Sequence, residues 1–558
     1  MSNNTSDSND RRLGRRALIQ LAGGLGATLA LGACGGTAST PAGTTAPPAS
    51  APPAGAAPTI AAAATRTTAT AGTATRAASG TAASGTAGAG ATVRLAPPAA
   101  SFPTGKISFR WVDAGLDNRS FFPTFFDAYQ KSRTNVTVQY DNVTDDNLRQ
   151  LVTTGVQNGN AHDAFRGPGE ITSGQMVREG WVAPLDEIVP NFAQWQAAFP
   201  PNSFFEGVNV FNGKTYSFPH LSAKQYGNLM FYNTDYMARA DYDPAKKPLT
   251  WDEFRAAAKK ITEQGKGQYY GYLLAGGVAA RWSIFVSNVA RMAGPVAGAS
   301  DMNWKTGEFA YTSDPYIAAI ELLLAMKADG SFFPGSISIN QQNAVAQMPQ
   351  GVAGMFLSVT SNIPIYIRDT PFPFEVASQP IPNGGNVTPL SVPPSGTFWF
   401  CFSKSKNQQV VGDIFSFLGT TAGQSTFQEI TGGGSRLTFP EANTVPSLSE
   451  QARRAYALYD EQCRLGPEPS VRNGDTALVQ LERRALTPNF GQVVQGLFTG
   501  QVRDAKAAMQ DLQDRSEAEL ERALKAAQGK GAKVSRDDWK FANWDPTRDY
   551  TEADYKAL

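Results

Sequence analysis

Polar side chains that could bind a small molecule stand directly after two strands of the predicted fold. Asp113 follows an alternating run, and Arg166 and Glu170 lie on a loop after a later short strand. Ligands of parallel sheets bind beyond the carboxyl ends of the strands, so these loops are the first candidates for a site. Planar carboxylates and guanidinium groups can pair with hydroxyls. The alternatives are a turn-forming Asp113 and a surface ion pair between Arg166 and Glu170.

Metal chemistry has little support in the composition. The 558 residues include two His and three Cys, and neither C-x-x-C nor H-E-x-x-H occurs. We therefore predict no metal site and no cofactor. His162 and His220 are expected to be structural. Cys401 and Cys463 could form a disulfide in an oxidising compartment, although Cys401 lies in an apolar run typical of a small buried hydrophobe.

The third cysteine, Cys34, ends a segment that resembles an export signal. Four arginines between residues 11 and 16 precede an apolar stretch over residues 17–33, which closes with Leu31-Gly32-Ala33-Cys34. This order resembles a bacterial lipobox, so residues 1–34 are predicted to be a signal peptide with lipidation at Cys34. The alternative is an ordinary signal peptide with an incidental cysteine. The paired Arg15-Arg16 resembles a twin-arginine signal, although Gly14 and Gln20 depart from the usual pattern.

Residues 35–103 are predicted to be a disordered tether. The segment consists mostly of Ala, Thr, Gly, Ser and Pro, with almost no bulky apolar residue. Such a chain cannot bury enough surface to offset its conformational entropy. A coil of this length reaches on the order of 40–50 Å.

Charge and motifs exclude several classes of protein. The 49 Lys+Arg and 48 Asp+Glu are balanced, whereas a nucleic-acid-binding protein usually shows a basic excess. The nucleophile motif G-x-S-x-G does not occur. A pair of catalytic carboxylates cannot be excluded in this way, so a secreted glycosidase stays open as an alternative.

The folded body begins near residue 104 with alternating strands and helices. Strand patterns at residues 106–112, 136–140 and 163–165 are separated by helical patterns at residues 120–131 and 147–156. This alternation predicts βα crossovers and mainly parallel sheets, an α/β fold.

The middle of the chain carries clear local signals. Asn212-Gly213 predicts a tight turn between short strands, and the apolar run from Leu229 to Asn233 predicts a strand. Thr250 followed by Glu253 predicts a helix start with a capping box.

The order of these segments resembles the maltose-type extracellular solute-binding proteins, family 1. The resemblance covers residues 105–526 and rests on several short pieces in sequence. They are residues 180–185 (GWVAPL), Asn212-Gly213-Lys214 with Pro219, Phe231-Tyr232-Asn233, residues 248–254 (PLTWDEF), residues 348–355, Ser403 to Asn407 and residues 413–423. Each piece alone is weak, and their order is specific.

The resemblance implies a two-lobed periplasmic-binding-protein fold of type II. Each lobe is expected to contain a mixed, mainly parallel sheet flanked by helices. The first lobe would hold residues 104–224 and 392–436, and the second residues 228–386 and 439–528. Crossings are expected near residues 223–228, 386–396 and 432–439. Residues 529–558 form an extension outside the family pattern, with no assigned role.

The resemblance also implies ligand contacts at family positions. Arg166 and Glu170 lie where the family carries ligand residues. Tyr226 matches a cleft position near the first crossing, the alternative being a hinge-packing tyrosine. Trp282 falls where the second lobe offers an aromatic side chain, the alternative being the buried face of a helix.

Three further ligand candidates come from the later part of the chain. Ser361 lies in a Thr-Ser-Asn segment that replaces one often carrying Trp in sugar binders, so one stacking plate is missing. Trp399 lies in a run apolar on both faces, where a core position is the alternative. Arg436 follows the glycine turn at residues 432–434 and is a ligand or interlobe candidate.

The function implied is that of a lipid-anchored binding protein of an ABC importer. It would be a monomer on the outer side of the cytoplasmic membrane. It would capture a small solute, with a mono- or oligosaccharide as the expected ligand, and deliver it to a permease without catalysis. The other hypotheses are a secreted carbohydrate-active enzyme and the same fold used for a non-sugar ligand or for sensing.

Overall fold

The computed structural model describes residues 92–99, 101–169, 171–225, 228–294, 300–395 and 399–558. The predicted signal peptide with Cys34, residues 35–91 of the predicted tether, Glu170 and Tyr226 lie outside the described residues. The end of the predicted tether is not disordered, because Val93, Leu95 and Phe102 pack against the core of the first sheet.

Short strands alternate with helices along the described chain. The strands are β1 Ile107–Ala114, β2 Val136–Val143, β3 Ala164–Arg166, β4 Val210–Phe211, β5 Lys214–Thr215, β6 Leu229–Asn233, β7 Tyr270–Leu273, β8 Met302–Asn303, β9 Glu308–Phe309, β10 Ala353–Ser358, β11 Phe374–Ala377, β12 Leu390–Val392, β13 Trp399–Cys401 and β14 Cys463–Leu465.

The helices are α1 Leu116–Ser132, α2 Asp145–Gln157, α3 Ser173–Arg178, α4 Phe192–Ala197, α5 Thr234–Arg239, α6 Trp251–Gly265, α7 Ala279–Arg291, α8 Asp314–Ala328, α9 Gln341–Gln347, α10 Ile363–Asp369, α11 Gln408–Leu418, α12 Thr421–Thr431, α13 Glu450–Gln462, α14 Pro469–Arg472, α15 Thr476–Glu482, α16 Phe490–Thr499, α17 Ala505–Gly529 and α18 Glu552–Lys556.

The first lobe is built on a sheet with the order β13-β3-β1-β2. β1 is parallel to β2 and β3, and β13 joins antiparallel to β3 after a long excursion of the chain. Phe109 and Trp111 of β1 pack with the phenylalanines of α1 and with α11 in an aromatic core. Because β1 is central and both its faces are buried, its carboxyl end is held rigidly, as a binding loop requires.

The second lobe is built on a sheet with the order β11-β6-β10-β7. β10 is parallel to β7, but β6 is antiparallel to both β10 and β11. The expected parallel majority therefore holds in the first lobe and not in the second. β6 enters this lobe directly from a crossing and runs opposite to its neighbours.

The chain changes lobe three times among the described residues. The first change lies between Leu221, which bridges to Leu437, and Leu229. The second runs from β12, which is parallel to β14, to β13. The third lies between Ala442 and Val445, beyond the expected residues 432–439. Phe439 still packs in the first-lobe core, so the chain leaves the first lobe at a later residue than expected.

The C-terminal extension is part of the second lobe. Trp539, Phe541, Trp544 and Tyr550 are buried in the same core as α7, α8 and α17. The extension also reaches a crossing, because the Asp549 carboxylate accepts hydrogen bonds from the Leu465 backbone N–H (2.9 Å) and Lys224 Nζ (3.0 Å). The predicted extension is therefore an integral element of the fold.

Several local predictions are confirmed. Thr250 and Glu253 form the capping box of α6, and β4 and β5 make a hairpin around Asn212-Gly213. Cys401 and Cys463 are both buried and free, so the disulfide alternative is wrong. Burial raises the pKa of each thiol.

Candidate functional site

Asp113 ends β1 and is the centre of a buried hydrogen-bond network. Its carboxylate accepts bonds from the indole N–H groups of Trp111 (3.1 Å) and Trp399 (2.7 Å), the Ala114 backbone N–H (2.7 Å) and the Asn118 amide (2.7 Å). The side chain is fully enclosed. The structure thus gives Asp113 and Trp399 a positioning role at the end of the first-lobe strands. Direct ligand contact by either residue stays a prediction.

Arg166 lies at the carboxyl end of β3, beside the end of β1. Its Nη1 donates to the Ala114 carbonyl (3.0 Å) and to Asp145 Oδ1 (3.2 Å), and about 27% of its side chain is exposed. Its positive charge lowers the pKa of Asp113, but burial outweighs it and raises that pKa to about 6. Arg166 is therefore a partly accessible cation on the loop edge where the sequence predicts ligand contacts.

Asp117, in the first turn of α1, is a site residue that the sequence reasoning missed. Ser435 Oγ donates to its Oδ2 (2.6 Å), which links α1 to the turn after α12. A Cβ at Gly434 would lie 2.4 Å from Asp117 Oδ1, so a larger residue there would displace the Asp117 carboxylate. Burial raises the pKa of Asp117 to about 6, against the lowering effects of Ser435 and Arg166. The glycine run at residues 432–434 was the available signal for this contact.

Arg436 joins elements around the first crossing. It forms an ion pair with Asp460 of α13 and donates to the Lys224 carbonyl (3.3 Å). The geometry gives Arg436 the interlobe contact that was one of its two predicted roles, and its ligand contact stays a prediction.

Of the two ligand candidates in the second lobe, Trp282 is fully buried and Ser361 is half-buried. Trp282 is fully buried in α7, donates to the Gly276 carbonyl (2.9 Å) and contacts the Phe498 ring at 4.6 Å. This is the buried helix face that was the alternative to a ligand plate. Ser361 is half-buried in the short turn Thr360–Asn362, directly after β10.

A cavity of about 530 Å³ lies between the lobes, and we call it the interlobe cavity. The first lobe contributes the loop after β3, the start of α3 and the loop before β4. The second crossing contributes Pro393 to Ser395. The second lobe contributes Trp304, Glu468, Gln480, Arg483 and Trp539. This volume is in the range of sites for small organic ligands.

The second-lobe wall of the interlobe cavity combines aromatic and charged groups. The Arg483 guanidinium lies 5.7 Å from the centre of the Phe309 ring, and burial lowers its pKa. Burial raises the pKa of Glu468, whose carboxylate accepts hydrogen bonds from Ser470. Planar polar groups beside indole rings can bind a hydroxyl-rich ligand with apolar faces.

The lobes touch at one side of the interlobe cavity. A Cβ at Gly207 would lie 2.0 Å from the Ser470 carbonyl oxygen, and one at Gly174 would lie 3.6 Å from Ala477. The lobes can therefore come this close at position 207 only because the residue there is a glycine.

Other chemistry is sparse in the described part of the chain. No group of three or more His, Cys, Asp or Glu residues there could hold a metal ion. His162 is hydrogen-bonded with Asp141 (3.1 Å), and His220 is buried against Trp399 and Phe427. Within the same residues, no helix is both long enough and apolar enough to span a membrane.

Known proteins share both sequence and architecture with this chain. A protein of Brucella abortus named as a binding protein is 25% identical over 269 residues, which cover 47% of this chain and 59% of the relative. The chain thus spans about three-fifths of the length of the curated relatives it matches first.

Solved structures reproduce the fold. A protein from work on xylan utilization by Caldanaerobius polysaccharolyticus superposes with a TM-score of 0.57 at 17% identity, covering 73% of this chain and 100% of that chain. The maltose/maltodextrin-binding domain MalE of Bdellovibrio bacteriovorus, bound to maltotriose, gives a TM-score of 0.55 at 16% identity, covering 74% and 100%. Both confirm the predicted two-lobed fold of type II.

The match to a family model extends over residues 113–425, which is more than half of the 558 residues. It begins at the end of β1 and includes both sheets apart from most of that strand. The chain belongs to the family of bacterial extracellular solute-binding proteins.

Proposed function

We propose that this chain is the solute-binding component of an ABC importer, which captures a mono- or oligosaccharide between its lobes and delivers it to a membrane permease. The observation that carries the proposal is the interlobe cavity, which takes walls from both lobes and from the second crossing. A ligand there contacts the two lobes at once, so it favours the closed arrangement over an open one.

The sugar preference is supported by the cavity wall and by the relatives. Trp304 and Trp539 line the interlobe cavity together with the charged residues Glu468 and Arg483. One of the proteins with this fold is bound to maltotriose. On the first lobe, Asp113, Arg166, Glu170 and Tyr226 remain the proposed contacts, and about 27% of the Arg166 side chain is exposed.

We propose lipid anchoring at Cys34 on the outer side of the cytoplasmic membrane, with export by the twin-arginine route. The support is the order of basic residues, apolar stretch and cysteine in residues 11–34, followed by a tether long enough to hold the folded body away from the bilayer. A Cys34→Ala variant should lose metabolic labelling by a fatty acid and leave the membrane fraction. Equal labelling of the variant would contradict the proposal.

The role proposed is binding without bond cleavage by a monomer. Incubation of the purified protein with oligosaccharides should therefore leave them intact. Turnover by the protein would favour the alternative of a secreted carbohydrate-active enzyme.

The decisive experiment is a thermal-shift screen over sugars, polyols, peptides and polyamines. A ligand at 100 times its Kd stabilises the native state by about 2.7 kcal/mol, which is readily detected as a raised Tm. Small-angle scattering with the hit should show compaction. A binding solute that produces no compaction would contradict the closure step.

Arg483→Gln locates the binding site. We expect this variant to bind the solute found in the screen about tenfold more weakly, because it loses a charged side chain that lines the interlobe cavity. The matched control is Arg484→Gln, which changes the adjacent exposed arginine and should leave affinity unchanged. Equal affinities for both variants would exclude the interlobe cavity as the site.

A further inference from the structure

A second, much smaller cavity lies at the edge of the second-lobe sheet. It has a volume of about 10 Å³ and lies where β7 and β10 end and β6 begins. We call it the Arg281 cavity. Its polar lining is formed by Asn228, Tyr272, Arg281 and Gln341, and the rest is apolar. The carboxyl ends of parallel strands are where ligands of such sheets bind.

Arg281 has no partner among the described residues. Its side chain is half-buried in the first turn of α7 and makes no hydrogen bond or ion pair there. Tyr272 is the one neighbour that affects its pKa electrostatically, while burial lowers that pKa. Arg483, by comparison, has Glu517 and Glu519 close enough to affect its pKa.

Two other arginines of this lobe donate hydrogen bonds to backbone carbonyls, although Arg291 Nε has no partner among the described residues. Arg454 donates to the carbonyls of Val376 (2.7 Å) and Ala245 (2.6 Å), and Arg291 donates to the Ser391 carbonyl (2.5 Å). A guanidinium that is partly withdrawn from water without a counter-charge is stabilised when an anionic partner is bound. An unpaired Arg281 is therefore explained if its partner arrives from outside the chain.

Two amides that line the same cavity also have no side-chain hydrogen bond with a described residue. Asn228 is 3% exposed, yet its side chain forms no hydrogen bond with a described residue, and the same holds for Gln341. Asn228 directly precedes β6, at the point where the first crossing enters the lobe. Guanidinium and amide N–H groups together supply donors for the oxygens of one anionic group.

We propose that Arg281, with Asn228 and Gln341, binds an oxyanion carried by the solute, a carboxylate or a phosphate. The proposal rests on the solute-binding function proposed above and narrows the solute to an acidic sugar or polyol derivative. It does not depend on the interlobe cavity, with which the Arg281 cavity shares no lining residue. The cavity has room for about one water-sized group. Only a terminal oxygen of the anion enters it in this conformation, and the body of the solute stays outside.

Matched neutral and anionic solutes test the proposal on the full-length protein. The pairs are glucose with glucuronate, glucose with glucose 6-phosphate, and glycerol with glycerol 3-phosphate, each measured by thermal shift and calorimetric titration. We expect the anionic member of at least one pair to bind at least tenfold more tightly than the neutral member. A carboxylate preference or a phosphate preference identifies the source of the oxyanion.

Variants separate a binding role from a structural one. Arg281→Gln should weaken the anionic solute by at least tenfold and leave any binding of its neutral partner unchanged, while Arg281→Lys should retain part of the preference. Because Arg281 has no described protein partner, the ligand-free Arg281→Gln protein should melt at the same or a higher temperature. The control is Arg368→Gln, an exposed arginine of the same lobe paired with Asp369, which should change nothing.

The remaining outcomes contradict the proposal in distinguishable ways. Neutral solutes that bind as tightly as anionic ones, or an Arg281→Gln variant with unchanged preference, would overturn the oxyanion site and leave the solute-binding function standing. A marked fall in the melting temperature of ligand-free Arg281→Gln would reveal a structural arginine. Binding of no solute from this set or from the wider screen would overturn both.

Discussion

At the scale of single residues, Asp113 shows how a carboxylate at a strand end can organise a loop. All four of its recorded hydrogen bonds are accepted from donors, two of them from the indoles of Trp111 and Trp399. An acceptor-only group suits this position, because any N–H placed there would face another N–H.

Asp113→Asn should therefore destabilise the protein by about 1–3 kcal/mol, since either orientation of the amide leaves buried donors unsatisfied. Urea unfolding measures the change. Asp146→Asn, at an exposed carboxylate of α2, is the control and should shift the free energy of unfolding by less than about 0.5 kcal/mol. Equal effects of the two variants would contradict the network.

Asp117 predicts a pH dependence of stability. Its pKa is about 6 in the folded protein against an ordinary value of 3.8. Between these values the folded state holds more protons than the unfolded state, so the free energy of unfolding should fall as pH rises from about 4 to 6. Asp117→Asn removes one titrating group and should make this fall smaller.

Urea midpoints measured at half-unit steps from pH 4 to 7 test this prediction. Asp113 titrates in the same direction, so the slope should shrink without vanishing. Identical slopes in the variant and the parent protein would contradict a raised pKa at Asp117.

Site residues could be predicted from the sequence where a local pattern marks them, and not where their role depends on a partner far away along the chain. Asp113 and Arg166 were found because each follows a recognisable strand. Asp117 was not predicted because its partner, Ser435, is more than three hundred residues away, and the glycine run before Ser435 does not show which residue it approaches. The sequence marks Trp282, where an aromatic residue is expected, and gives no signal at Arg281, because the missing counter-charge of Arg281 is visible only in three dimensions.

At the scale of elements, the helix α6 was predictable from its first residues. Thr250 Oγ1 accepts from the Glu253 backbone N–H (3.2 Å), and the Glu253 carboxylate accepts from the Thr250 N–H (2.8 Å). Both partners lie within one turn, so the signal is local. The direction of β6 was not predictable, because strand orientation depends on how the first crossing delivers the chain.

Thr250→Ala should cost about 1 kcal/mol of stability by leaving the first turn of α6 without its cap. Thermal unfolding measures the loss. Thr370→Ala is the matched control, because the Thr370 side chain makes no hydrogen bond with a described residue. A variant as stable as the control would show that the capping box contributes nothing to α6.

At the scale of the whole molecule, the two-lobed architecture followed from the order of short motifs rather than from any one of them. The C-terminal extension did not follow, because its aromatic residues are isolated in sequence and find their partners in α8 and α17 only after folding. It contributes Trp539 to the interlobe cavity and Asp549 to the region of the crossings.

Asp549→Ala should loosen this region. The variant loses the acceptor of the Leu465 amide and the partner of Lys224, so hydrogen exchange at Leu465 and neighbouring amides should accelerate by about threefold or more. Asp545→Ala is the control, since that carboxylate bonds Thr547 within its own turn. Equal protection of the Leu465 amide in both variants would contradict a tie between the extension and the crossings.

The two free thiols have a practical consequence for following motion. Cys401 lies inside the first-lobe sheet and Cys463 begins β14, and both are shielded from solvent with raised pKa values. Maleimide reagents attack exposed thiolates, so neither native cysteine should react in the folded state. Donor and acceptor fluorophores can then be attached at a pair of introduced surface cysteines, one on each lobe, in a preparation that begins after the tether and keeps both native thiols.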